Sequence, residues 1–213
     1  MSTNRSAAIA LVAGSLAGLV TMALHPTGRE VVDNAATGAS NVLATAVHAL
    51  ALLGQPLLLA GTLALTLRLR ARRDLAIGAY VFFALAVVAV LIAGAASGYI
   101  SPHVIAGLDG ASDTERAAMM DALHYTGELN QAFAKVYVLL AGVAFILWSA
   151  AMLSGHELSR ALAAYGVVLG AAMLLGVASG RLTLDIHGFG AVVLGQGVWM
   201  AWVATLLWRA TET

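Results

Sequence analysis

The chain contains no cysteine. That absence excludes disulfides, thiolate metal sites and a cysteine nucleophile, and it suits either side of a membrane. Charge is nearly as scarce. Only 10% of the 213 residues are Asp, Glu, Lys or Arg, whereas a soluble domain carries about a quarter. Positive and negative residues balance, 11 against 11, and no long basic run occurs. Nucleic acid is therefore not an expected partner. Lysine is reduced to one residue, Lys135, beside ten arginines. Proline occurs three times, at Pro26, Pro56 and Pro102.

What fills the chain instead is apolar. Hydrophobic residues make up 61% of it, and the mean hydropathy is +0.88. A chain of this size and composition is expected to be an integral membrane protein with little left for a soluble domain. Arg in place of Lys, with abundant Ala and Gly, is a compositional association with GC-rich bacterial genomes. A multi-pass protein of a bacterial inner membrane, in contact with the lipid bilayer, is the expectation.

Six apolar stretches carry a helical reading. The first, residues 7–24, follows Arg5. It reads as a span rather than a signal peptide, because the run is long and no small-x-small cleavage site follows. His25-Pro26 ends it, since proline disfavours helix in the residue before it. After a polar loop with Arg29, Glu30 and Asp33, the second span covers residues 41–67. Asn41, His48 and Gln55 recur there every seventh residue and share a face, and Pro56 is expected to kink the helix and free a carbonyl. The third span, residues 75–100, stops near Ser101-Pro102-His103. Ser112 or Asp113 is placed to cap a helix that holds Glu115 in its first turn and runs to Leu153. That helix is too long for a span alone, so its first three turns should project beyond the hydrocarbon. The last two spans are 161–179 and 186–208, with Trp199, Trp202 and Trp208 in the second half of the latter. An interfacial aromatic belt would use at least the last of these. The fold class that follows is all-α, one domain over residues 1–213, a bundle of six transmembrane helices.

Arginine counts set the orientation. Seven arginines (Arg5, Arg68, Arg70, Arg72, Arg73, Arg160, Arg209) fall on the side of the termini, and three (Arg29, Arg116, Arg181) on the other. Basic residues stay cytoplasmic, so both termini are expected inside. Small residues recur four apart: Gly14 and Gly18, Gly94 and Gly98, Gly166 and Gly170, Gly176 and Gly180. Such spacing allows close helix contact within the bundle, or between two copies of the chain. An internal echo is also visible. Gly94-Ala-Ala-Ser-Gly98-Tyr-Ile-Ser resembles Gly176-Val-Ala-Ser-Gly180-Arg-Leu-Thr, and His103 and His187 follow the two copies.

The polar residues concentrate in the fourth helix. His124, Glu128, Gln131 and Lys135 stand at i, i+4, i+7 and i+11, one face of a helix. Ionisable groups near hydrocarbon are expensive, so this stripe marks a candidate site. Five of the six histidines, His25, His48, His103, His124 and His187, fall at the outer ends of their spans. With Glu128 and Asp185 they make an N/O ligand set that suits Zn, Fe, Mn or Cu(II). His124 and Glu128, one turn apart, are candidates for chelation and for general acid–base work. Asp185-x-His187 supplies a ligand or its orienting partner. Alternatively, His48 and His124 on facing helices are placed to ligate haem b axially. A metal site with an open position would activate water, and its ligand would be a lipid or small molecule at the outer interface. No H-E-x-x-H or C-x-x-C-H signature is present.

Two further classes compete with a metal or haem protein that acts as a hydrolase or redox protein. A small-solute or ion transporter would use Lys135, Glu128, Gln131, His48 and Gln55 as a polar path. Below that level only Gln55 and Gln196 offer stepping stones. A non-catalytic interaction or sensor protein would use the polar residues as interfacial anchors, with Lys135 snorkelling or paired with Glu128, and Arg181 paired with Asp185 at the surface. The six spans, the His-bearing fourth helix and Ser159-Arg-Ala-Leu-Ala-Ala-Tyr-Gly166 resemble small six-span bacterial inner-membrane proteins of an uncharacterised type. The resemblance implies the architecture and carries no activity with it.

Overall fold

The computed structural model describes residues 3–26, 39–155 and 158–210. Among them are six helices long and apolar enough to cross a membrane, and no strand. They are α1 (Thr3–Leu24), α2 (Ala39–Arg68), α3 (Arg73–Ala106), α4 (Asp113–Gly155), α5 (Arg160–Ala178) and α6 (Ile186–Arg209). The protein is thus a multi-pass membrane helix bundle. The polar loop with Arg29, Glu30 and Asp33, and the turn residues His156 and Glu157, lie outside the described residues.

Packing follows chain order. Each helix lies against its sequence neighbours, and α6 closes the ring by packing along α1 while touching α5 only lightly. The α3–α4 contact is the most extensive, and its pattern is legible. Ala76, Ala79, Phe83, Ala86, Val90 and Ala93 recur in alternating steps of three and four, which keeps them on one seam. Ala76, Ala79, Phe83 and Ala86 meet Ala134, Val138, Ala141, Phe145, Trp148 and Met152 in the same buried cluster, with Val90 packed against it. Small residues let the backbones approach, because in lipid helix association depends on packing rather than on release of water.

The glycine pairs serve the same end inside the bundle. A Cβ on Gly14 would lie 2.8 Å from the Gly54 carbonyl, and one on Gly170 would lie 2.5 Å from that of Gly142. The internal echo diverges in three dimensions. Gly180 ends α5 with φ at +68°, whereas Gly98 sits in a π-helical turn, Ala96–Ile100, through which α3 continues to Ala106. The expected stop near Pro102 is therefore wrong by several residues. Pro102 has no N–H to give the carbonyl of Gly98 four residues back. The hydroxyl of Thr45 on α2 donates to that carbonyl instead, at 2.9 Å. Helix α2 likewise runs on through Pro56.

Helix ends are capped as their sequences suggest. Ser112 and Glu115 form a capping box: the Glu115 carboxylate accepts from the Ser112 N–H at 2.9 Å and its hydroxyl at 2.6 Å. Asp185 caps α6, accepting from the backbone N–H groups of His187 at 3.0 Å and Gly188 at 2.8 Å. At the end that holds the termini, the Arg5 guanidinium lies 5.3 Å from the Trp208 ring centre.

A candidate polar chamber with a histidine pair

Helices α1, α2, α3, α4 and α6 enclose a chamber of about 400 Å³ that α5 does not line. Its mouth is at the end away from the termini, where His25, Pro26, His48 and Asp185 stand. Its depths reach Phe83, Gln196 and Met200. Beneath lies a stack of buried rings. Phe145 and Trp199 sit edge to face at 4.8 Å, Trp148 and Trp199 stack at 5.9 Å, and Phe83 meets Trp148 at 5.5 Å.

The mouth is shaped by two imidazoles. His25 follows the last turn of α1, and His48 projects from α2 one turn beyond Ala44. Their Nε2 atoms face each other at 3.2 Å, with ring planes 70° apart. Each Nδ1 lies on a backbone carbonyl, His25 on Pro26 at 2.8 Å and His48 on Ala44 at 2.7 Å. A carbonyl only accepts, so each Nδ1 carries the proton. In the neutral rings both Nε2 atoms then present lone pairs to one another. Two lone pairs at that distance repel unless something positive lies between them. Gly98 fixes the position of His48: a Cβ there would come within 2.6 Å of the His48 Cγ.

Farther in, three amide side chains face the chamber in one sense. Gln55 donates its NH2 to the Ala51 carbonyl at 3.2 Å, Gln131 to Leu184 at 3.1 Å, and Asn130 to Ala93 at 3.0 Å and to the Ser97 hydroxyl at 2.5 Å. The carbonyl partners accept only, so the nitrogen of each amide is the donor and the oxygens are left over; Asn130 uses both of its N–H groups, Gln55 and Gln131 one of two each. Gln55 Oε1 is buried and has no donor, and Ser15 Oγ is without a partner too. Tyr137 on α4 donates to Gln196 Oε1 on α6, joining two helices whose backbones barely meet.

The stripe on α4 lies elsewhere. His124, Glu128 and Lys135 are exposed on the outer surface of the helix, and Gln131 alone reaches the chamber. His103 and His187 are also exposed and do not line the chamber, whereas exposed Asp185 reaches the chamber rim. Thus, of the residues expected to gather, His25 and His48 meet, with Asp185 at the rim. His103, His124, Glu128 and His187 stand apart from the chamber. Among the described residues no group of three or more His, Asp or Glu is placed to hold a metal. No salt bridge between described residues involves Lys135, Glu128, Arg181 or Asp185. Asp185 is engaged as a cap: the Gly188 N–H, the Thr183 hydroxyl and the His187 N–H hold its carboxyl below the usual carboxylate range.

The chain matches no protein-family model, no curated protein and no solved structure. The chamber is therefore read from its own residues. On α4 it is lined by Asn130, Gln131, Ala134 and Tyr137, and the series Asn130, Ala134, Tyr137 lies about half a turn from the charged one. The signal for it was present in the sequence as a second helical series, uncharged and polar. A helix that must bury one of two polar faces buries the one without charge.

Proposed function

We propose that this is a metal-binding membrane protein whose site is the His25–His48 pair at the chamber mouth. The opposed Nε2 atoms carry the reading. An ion about 2.0–2.1 Å from each nitrogen would subtend an angle near 100°, close to tetrahedral. Metal-bound imidazole commonly donates its other N–H to a carbonyl, and both rings do so. With two nitrogens as the only protein ligands named, water completes the coordination. A metal-bound water is a nucleophile near neutral pH, which is the route by which the site would serve a hydrolase. Two nitrogens side by side suit such an ion better than the opposed ligands of a haem. We place the protein in a bacterial inner membrane with both termini cytoplasmic, on the arginine distribution, so that the mouth faces outward.

Titration of the purified protein with Co(II), followed by its visible spectrum, tests the site. One equivalent is expected to bind, and His25→Ala and His48→Ala are each expected to abolish binding. His103→Ala, His124→Ala, Glu128→Ala and His187→Ala should bind as the parent does. Full binding by His48→Ala would overturn the assignment.

A transporter reading draws on the chamber's depth, which extends to Gln196. Passage would require the ring stack beneath it to part, and solute flux into liposomes is the measurement for it.

A further inference from the structure

The chamber below the histidines has a definite hydrogen-bonding sense, and that sense selects a ligand. The amide nitrogens of Gln55, Asn130 and Gln131 are bound to backbone carbonyls. Their oxygens take no donor from the described residues, and Gln55 Oε1 is an orphan in the chamber wall. Pro56, having no N–H, leaves the carbonyl of Leu52, a chamber residue, without its usual helical donor. The remaining polar groups include the hydroxyls of Ser15 and Ser97, which both give and accept, the Thr21 hydroxyl, held on backbone carbonyls, and the Tyr137–Gln196 pair. The rest of the wall is apolar, including Leu58, Val90 and Val193.

Four ligand classes can be weighed against this wall. Among the described residues no Lys or Arg lines the chamber, so an anion meets carbonyl oxygens there. A cation deep in the chamber meets no carboxylate of the described residues, because Asp185 stands at the rim, and an uncompensated charge is expensive in low dielectric. A neutral ligand with acceptors alone, such as an ester or ether, leaves Gln55 Oε1 without a donor. A neutral ligand with hydroxyl donors supplies the donor that this oxygen lacks, and its apolar body suits the aliphatic lining. A volume of about 400 Å³ falls within the range of small-molecule pockets, about 300–1,000 Å³.

We propose that the chamber is a binding site for a neutral, hydroxyl-bearing amphiphile of small-molecule size, held by hydrogen bonds to Gln55, Asn130 and Gln131. The assignment does not depend on a metal at the histidine pair.

A matched pair of probes tests it: 4-propylresorcinol, with two hydroxyl donors, and its dimethyl ether, with none. Binding is measured by titration calorimetry on the full chain in lipid nanodiscs, with empty nanodiscs subtracted. The resorcinol is expected to bind saturably, and the ether about tenfold or more weaker, the scale of one or two hydrogen bonds. Gln55→Met and Gln131→Met, checked for a thermal unfolding transition like the parent's, should each weaken the resorcinol by about tenfold. Equal affinity for the ether overturns the proposal, as does absence of saturable binding above the nanodisc background. So does undiminished resorcinol binding by both folded variants. The probe comparison uses the unaltered protein, so it stands even where a variant fails to fold. Loss of Co(II) binding with retained resorcinol selectivity would remove the metal reading alone.

Discussion

A methyl group at Gly98 would stand 2.6 Å from the Cγ of His48, closer than van der Waals contact permits. Glycine is needed there for space, and its missing Cβ is what allows α3 to press the imidazole toward His25. Gly98→Ala should therefore rotate or displace the His48 ring and spoil the 3.2 Å approach of the two nitrogens. Co(II) affinity is expected to fall by about tenfold or more, on the scale by which altered support around metal ligands lowers affinity. Affinity unchanged by Gly98→Ala would mean that α3 does not set the ring's position. At this scale the sequence was only partly legible. His25 and His48 both stood among the five outer histidines, and nothing in their spacing marked them as a pair. Their pairing depends on the Pro26 carbonyl that holds the His25 ring and on a glycine from a third helix, contacts that no local pattern encodes.

Elements are governed by their ends and faces. The cap on α6 illustrates the first. Hydrogen bonds from the Gly188 N–H, the Thr183 hydroxyl and the His187 N–H lower the affinity of Asp185 for a proton in the folded chain. Those donors are lost on unfolding, so the carboxyl returns to its ordinary value. The stabilisation is thus fully present above the unfolded pKa and disappears as pH falls through the folded one. Between about pH 6 and about pH 3 the parent protein should lose more thermal stability than Asp185→Asn, which keeps an acceptor but does not titrate. Identical acid sensitivity of the two proteins would show that the cap does not contribute. The fourth helix illustrates the second. Periodicity placed His124, Glu128, Gln131 and Lys135 on one face, and they share it. Periodicity could not say which way that face turns. Charge decided: three of the four are exposed, and the inward face carries Asn130, Ala134 and Tyr137.

For the molecule as a whole, hydropathy made the six spans readable to within a few residues at most ends, because length and apolarity are local properties of the chain. The exception was the third, where Thr45 on α2 supplies the donor that Pro102 withholds and the helix extends to Ala106. Orientation is open to a direct measurement, since a chain without cysteine has no background toward thiol reagents. Ala71→Cys, between α2 and α3, and Asp109→Cys, between α3 and α4, lie at opposite ends of the bundle. A membrane-impermeant maleimide added to intact bacterial cells is expected to label Asp109→Cys and to spare Ala71→Cys until the membrane is broken. The reverse pattern would invert the assigned topology.

Closure of the ring by α6 has a consequence for biosynthesis. Helices α1 to α4 can be delivered to the bilayer as successive hairpins, each packing on the one before. The wall formed by Phe189, Val193, Gln196 and Met200 belongs to the final helix. Until that helix leaves the ribosome and inserts, the pocket is a cleft open sideways to lipid. A nascent chain interrupted before residue 186 would therefore hold both histidines and every amide except Gln196, yet have no enclosed space in which to use them.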